Sequence, residues 1–177
     1  MKKLFTLLAL TITFSMNAQW SYNSNGSGIQ SSSNNASGYQ STAMGGGTTA
    51  SGSRSTAMGE GSTASGDRST AMGSFAIASD YSSTVIGQFN SSGSSATSAS
   101  SFSTSAPAFV IGNGADYSNR SDAFKVMFNG DAYVSSSLYI GGTAITSTAS
   151  ELNYVDGVTS NIQTQINAIS SLSLIHI

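Results

Sequence analysis

The sequence has no cysteine, one proline and one histidine among its 177 residues, and only 8% of them are charged. Without cysteine an exported form has no disulfides, so it must be held together by packing or by association. No thiol is available as nucleophile or metal ligand. The one histidine, His176, lies in the last residues, so neither a histidine-based triad nor a zinc site is expected. The formal net charge of −2 argues against nucleic acid, which favours a basic surface. Large apolar side chains are scarce too, because much of the 38% hydrophobic content is alanine. Such a chain either stays disordered or repeats a unit that stacks small side chains against one another.

What is present starts with the basic Met1-Lys2-Lys3 and an apolar run from Leu4 to Phe14, too short to span a bilayer. Ser15-Met16-Asn17-Ala18 follows, with a small residue before Gln19. This pattern predicts a secretory signal over residues 1–18, cut after Ala18. Loss of Lys2 and Lys3 with it takes the mature charge to about −4. Residues 19–35 read as an N-terminal linker.

From Ala36 the chain repeats every fourteen residues: ASGYQSTAMGGGTT, ASGSRSTAMGEGST from Ala50, ASGDRSTAMGSFAI from Ala64 and ASDYSSTVIGQFNS from Ala78. Fourteen residues are too few for a helical repeat and enough for a flat coil of two short strands and two turns. Gly38, Gly52 and Gly66 fall at one corner, and Gly45, Gly59 and Gly73 at the other, where positive φ suits glycine. Between corners the strand alternates, with Thr56 and Met58 on one face and Ala57 on the other. Coils about 4.8 Å apart would make a rod roughly 20 Å long. An interior of Ala, Met and Thr gains little against about 1–2 kcal/mol of backbone entropy per residue, so lateral association is expected, burying a second alanine face. The core and interface candidates are Ala43, Met44, Ala57, Met58, Ala71, Met72, Val85 and Ile86.

The phrases ASGSRSTAMG and SSTVIGQFN resemble the head repeats of trimeric autotransporter adhesins, the YadA-like family. The resemblance covers residues 36–90, with Met44, Met58 and Met72 in place of the commoner Ile. It implies a left-handed parallel β-roll of fourteen-residue coils, packed as a homotrimer, on a bacterial cell surface or secreted. Positions that vary between copies lie at the corners, and the candidate ligand contacts among them are Tyr39, Arg54, Glu60, Asp67, Arg68 and Tyr81. Arg54 and Arg68 should stack one coil apart, their repulsion offset by Glu60 and Asp67.

Residues 91–107, SSGSSATSASSFSTSAP, lose the register and read as a flexible Ser-rich insertion or as degenerate coils. Residues 108–144 read as a β cap, with strand-like runs at 108–111 and 123–128 and turn signals at Asn113-Gly114 and Asn129-Gly130. Gly87 to Asn90, Phe109 to Gly114 and Arg120 to Val126 resemble the closing module of Bacteroidetes-type secreted β-roll proteins.

Residues 145–170 resemble the shaft and neck of phage tail fibres, the specific part being ITSTASELNYVDGVTSNIQTQIN. Ser150-Glu151-Leu152 reads as a helical start and Asp156-Gly157 as a turn. Thr159 or Ser160 suits a cap for a helix carrying Ile162, Ile166 and Ile169 on one face. That spacing fits a coiled-coil neck or a single amphipathic helix, and the trimeric resemblances favour the neck. The tail at 171–177 ends in SLIHI, which resembles a translated sequencing adapter, in which case the natural chain continues past about Ile169 and its anchor is not in this sequence. A buried hydrophobic terminus is the alternative.

Neither Gly45-Gly46-Gly47 nor Gly59-Glu60-Gly61 has the lysine of a phosphate loop. Acidic corners occur once each, too seldom for a calcium-binding roll. The chain is therefore expected to be a non-enzymatic adhesin-like head without cofactors, meeting an unknown extracellular ligand or surface. A tail-fibre segment is the alternative, against which the signal peptide argues, as is an ice- or mineral-binding solenoid using Thr42, Thr56, Thr70 and Thr84.

Overall fold

Alternation in Ser-Thr-Ala-Met-Gly places threonine and methionine on one face of an extended chain and alanine on the other. The structure, a computed structural model, describes residues 21–22, 29–31, 33–154, 158 and 161–173. The signal segment 1–18, the Asp156-Gly157 turn, the Thr159/Ser160 cap and residues 174–177, His176 among them, lie outside the described residues. The chain divides at Ser136/Ser137 into two compact units.

The first unit opens with an antiparallel pair, β1 (Ser21–Tyr22) and β2 (Ile29–Gln30). Each repeat then contributes one long strand: β3 (Thr42–Gly46), β5 (Thr56–Glu60), β7 (Thr70–Ser74) and β9 (Thr84–Gln88). Between them lie the short strands β4 (Thr49–Ala50), β6 (Thr63–Ala64) and β8 (Ile77–Ala78). The long strands pair in parallel with each residue opposite its counterpart fourteen positions on, Thr42 on Thr56 on Thr70 on Thr84. The short strands form a second parallel sheet in the same register. This is a parallel β-solenoid, as the period predicts.

Its interior is two alanines thick. Ala43, Ala57, Ala71 and Val85 from the long sheet form one buried cluster with Ala36, Ala50, Ala64 and Ala78, all at 0% exposure. The alanine face of the long strand is thus consumed inside the coil of a single chain. Thr42, Met44, Thr56, Met58, Thr70, Thr84 and Ile86 are half-buried on the outer face, and Met72 is 43% exposed. The expected second alanine face between chains does not exist on these strands; the outward columns are threonine and methionine.

The two glycine corners share a close approach between coils, since a Cβ on Gly45, Gly59 or Gly73 would meet the carbonyl of the glycine one coil on. They differ in φ. Gly45, Gly59, Gly73 and Gly87 adopt φ of +112°, +105°, +137° and +92°, as expected. Gly38, Gly52 and Gly66 do not have positive φ. They are buried where coils touch: a Cβ on Gly52 would collide with the Gly66 carbonyl, and one on Gly66 with that of Asp80. The positive φ at this corner belongs instead to Gln40, Arg54, Arg68 and Ser82, at +53° to +59°.

Both ends of the solenoid are closed. Asn34 and Asn90 occupy the same column as Thr48, Ser62 and Ala76, and both are buried. The Asn34 carboxamide accepts from the Thr48 amide (2.9 Å) and donates to the Gly45 carbonyl (2.9 Å). Asn90 accepts from the Ile77 amide and donates to the carbonyls of Ile77 and Ser92, each at 2.8 Å. Residues 29–31 and 33–35 are therefore part of the roll rather than a linker, since Ile29 and Gln30 also pair with Thr42 and Ala43, and Asn35 bridges Thr49.

The serine-rich segment 91–107 carries no regular strand before Pro107, yet it is bonded onto the roll rather than loose. Asp80 stands where earlier copies have glycine, and its carboxylate accepts from the amides of Thr97 and Ser98, both at 2.6 Å. The carbonyls of Gly93, Ser98 and Ala99 accept from the amides of Ser79, Tyr81 and Asp67. Strand β10 (Pro107–Asn113) then adds a fifth long parallel rung on β9, with Val110 buried in the alanine column. Antiparallel β11 (Asp122–Met127) and β12 (Ala132–Val134) extend the same sheet. Asn129-Gly130 makes the β11–β12 turn, with Gly130 at φ +96°. Asn113-Gly114 makes no tight turn. Gly114 is buried against the Phe89 carbonyl, and the chain loops to Arg120 before β11.

In the second unit, β13 (Tyr139–Ile140) and β14 (Thr143–Ala144) form a hairpin through Gly141-Gly142, both at positive φ as a type I′ turn requires. Helix α1 (Ala149–Asn153) starts at Thr148, whose hydroxyl accepts from the Glu151 amide while Glu151 accepts from the Thr148 amide. Those bonds, the backbone one first, hold the Glu151 carboxyl below its ordinary range. Helix α2 (Ile162–Ser173) carries Ile162, Ile166 and Ile169, all exposed.

The glycine columns give a paired test. Gly52→Ala should collapse the roll or remove most of its stability, since a backbone collision cannot relax without separating coils. Gly46→Ala, with nothing within 4 Å of the new methyl, should leave the midpoint of urea unfolding nearly unchanged. Equal effects at both positions would show that the coils are not in contact at Gly52.

Candidate functional site

The first corner of each coil is a four-residue turn whose last amide bonds back to its first carbonyl, as from Ser55 to Gly52 and Ser69 to Gly66, both at 3.2 Å. Its second residue is Tyr39, Ser53, Asp67 or Tyr81, and its third Gln40, Arg54, Arg68 or Ser82. Positive φ in the third position is the type II pattern, where glycine or asparagine is preferred. An L-residue there costs about 1–2 kcal/mol. An inter-coil bond holds it in place: the Arg54 amide donates to the Tyr39 carbonyl (2.7 Å), Arg68 to Ser53 (2.7 Å) and Ser82 to Asp67 (2.8 Å).

These turns gather five of the six candidate contacts into one ridge. The Arg54 guanidinium lies 5.7 Å from the centre of the Tyr39 ring, and that of Arg68 5.0 Å from Tyr81. The two arginines lean towards opposite ends of the ridge, so stacking on tyrosine, at about 0.5–1 kcal/mol each, accompanies their separation. Tyr39, Arg54 and Arg68 are exposed, Asp67 and Tyr81 half-buried. The Asp67 carboxylate is taken up by the Ser53 amide at 2.9 Å rather than offered to an arginine. Glu60 is not part of this group. It ends β5 in the column of Gly46, Ser74 and Gln88, roughly 13 Å along the strand from Thr56.

A second cluster escaped the sequence reading. Gly47, Gly61, Phe75 and Phe89 share a column, and all four have positive φ, the phenylalanines at +51° and +40°. Bulky residues are rare there. The rings stack at 5.0 Å, Tyr117 meets both edge-on, and Arg120 lies over Phe89 and Tyr117 while donating to the carbonyls of Phe75 (3.3 Å) and Asn90 (3.2 Å). Two Phe-for-Gly exchanges at one repeat position were the available signal.

Asp116 fixes the loop that presents Tyr117. Bonds from the Asn119 side chain and the amides of Ser118 and Asn119 lower its pKa below 3.8. Among the described residues no group of three or more His, Asp or Glu gathers to hold a metal.

Residues 36–62 and 64–90 match the family model described as the YadA head domain repeat, in two copies. Each copy spans about two of the coils. Comparison with curated proteins and with solved structures returned no match. The solenoid and its repeats thus define a β-roll of the adhesin class. Segment 36–90 is built of YadA head domain repeats, the repeats of trimeric autotransporter adhesin heads. Heads of that family are homotrimeric structural domains of surface-exposed bacterial adhesins and not enzymes.

Two outcomes test this geometry. Replacing Arg54 and Arg68 by Asn should leave thermal stability equal or slightly raised, because asparagine accepts positive φ more readily. A large loss would mean that the guanidiniums hold the coil together. Separately, Asp116 contributes stability above its unfolded value of 3.8 that disappears as pH falls through its lower folded value. The Tyr117 ring signals, followed by NMR, should shift in that acidic window, and Asp116→Asn should abolish the dependence.

Proposed function

We propose that the chain is the head of a secreted or surface-displayed homotrimer that attaches a cell to an extracellular ligand. The observation that carries this reading is the division of labour across the coil. Alanine is used up inside, while the outer columns Thr42-Thr56-Thr70-Thr84 and Met44-Met58-Met72-Ile86 continue through Phe109 and Ile111 of β10. That makes one apolar stripe over five strands, and each methionine or isoleucine it covers would contribute roughly 1.5–3 kcal/mol. Sister chains of the family's homotrimer are its natural occupants. The threonine column shares this face with methionine, so it is not the pure hydroxyl array that an ice-binding surface needs.

Attachment is assigned to the Tyr39–Tyr81 ridge. It lies on turns rather than on the strand face, and three chains would present three copies of it. Weak contacts repeated on one stiff body add up through effective concentration. Export by the residues 1–18 signal and a helical neck built on Ile162, Ile166 and Ile169 complete the proposal.

Light scattering on the mature chain should give three times the chain mass. Met58→Glu, on the outer face, should give a folded monomer with unchanged β-sheet circular dichroism. A trimer that survives Met58→Glu would rule out this face, and a wild-type monomer would rule out the assembly.

A further inference from the structure

Beyond the last coil the sheet runs on while the inner layer stops. Strands β11 and β12 extend past Ser91 and Ser92, and the side of the sheet that faces the alanine core elsewhere is left open there. The result is a groove of about 510 Å³, the size of a small-ligand site. Lys125 and Tyr133, cross-strand partners, share the core-facing side, because Lys125 also pairs with the buried Val110. Ser92, Arg120, Asp122 and Ser135 line it with them.

The charges of this groove are unequally used. Asp122 is engaged by backbone, both carboxylate oxygens accepting, from the amides of Ser91 (2.8 Å) and Ser92 (3.0 Å). Arg120 is spent on carbonyls and rings, as described above. Lys125 donates one bond, to the Ser92 hydroxyl at 3.3 Å, and stands 4.7 Å from the centre of the Tyr133 ring. An ammonium has three donors, and among the described residues no carboxylate meets this one. The groove thus holds two cations against one occupied carboxylate, hydroxyls on its walls and a Tyr133 ring that is 48% exposed.

We infer that this groove binds an acidic sugar, with the sugar carboxylate on Lys125, its hydroxyls on the serines and its apolar edge on Tyr133. A neutral sugar would leave the lysine without its anion. A simple anion would leave the tyrosine and hydroxyls unused. The site is separate in sequence from the Tyr39–Tyr81 ridge and goes beyond the attachment proposed there.

The test is an NMR titration of the full chain with glucuronate, with glucose and acetate as comparison ligands. Glucuronate should bind with a dissociation constant on the order of 1 mM, shifting the amide signals of Ser92, Lys125, Tyr133 and Ser135. Glucose and acetate should bind at least about tenfold more weakly, as expected when a charge-assisted bond or the remaining contacts are missing. Lys125→Gln should weaken glucuronate by a similar factor without altering the melting temperature. Tyr133→Leu, which keeps bulk in the groove, serves as the second variant and should weaken it too. Acetate binding as tightly as glucuronate, undiminished binding by both variants, or no shifts at these residues would overturn the inference. Arg54→Asn should leave glucuronate binding intact, so failure of the ridge reading and failure of this one are told apart. A tetrasaccharide ending in glucuronate would show whether the residue is taken at a chain end, and tighter binding than the free sugar is expected there.

Discussion

Everything in this head depends on how closely one coil approaches the next. At Gly38, Gly52 and Gly66, and again at Gly45, Gly59 and Gly73, the backbones touch, and no side chain fits between them. That contact and the parallel ladder set the spacing, and alanine is what fits the narrow interior. A buried methyl is worth about 0.8 kcal/mol, and each residue loses about 1–2 kcal/mol of backbone entropy. No single coil can balance that difference. Stability is then a property of the stack, through neighbour contacts and hydrogen bonds made across coils, as in other solenoids.

A stack that is stable only through its neighbours is weakest at its two ends. Departures from the repeat concentrate there. Asn34 and Asn90 stand in one column, four coils apart, and each supplies donors and acceptors that a further coil would otherwise provide. Asp80 replaces a glycine only in the last copy, where the next layer is the serine-rich segment and a carboxylate can take its amides. The antiparallel pairs at β1–β2 and β10–β12 stop the parallel ladder, limiting edge-to-edge growth. Variation between copies therefore has two sources, surface and termination.

Much of this was legible. Four copies in register specify which residues pair fourteen positions apart, and alternation assigns Ala57 and Met58 to opposite faces. What could not be read was which face turns inward, because both are partly apolar; coil thickness decides it, and alanine, with valine only at Val85 and Val110, fits where methionine does not. Nor was the role of Gly52 visible, since positive φ and close approach both select glycine. The Arg54 and Arg68 turns run against local preference, and the Arg54 amide bond to Tyr39, one coil away, is what overrides it. The serine-rich segment reads as a flexible insertion because its partners, Asp67, Ser79, Asp80 and Tyr81, are distant in sequence. The Asn129-Gly130 turn was read correctly where local chemistry governs. Asn113-Gly114 was not, because packing against Phe89 fixes Gly114 instead.

The inward turn of alanine also decides which surfaces are left outward. With alanine unavailable, a neighbouring chain has only the Thr/Met columns to cover, and those lie on the strands. The ridge from Tyr39 to Tyr81 lies on the turns at the edge of that face, and its arginines project from backbone held by bonds between coils. Covering the strand face therefore need not cover the ridge. Arginine at positive φ is costly, and the coil would tolerate glycine or asparagine in its place. Inside the roll the arginine side chains reach only the rings of Tyr39 and Tyr81, which is why the ridge is the surface proposed for attachment.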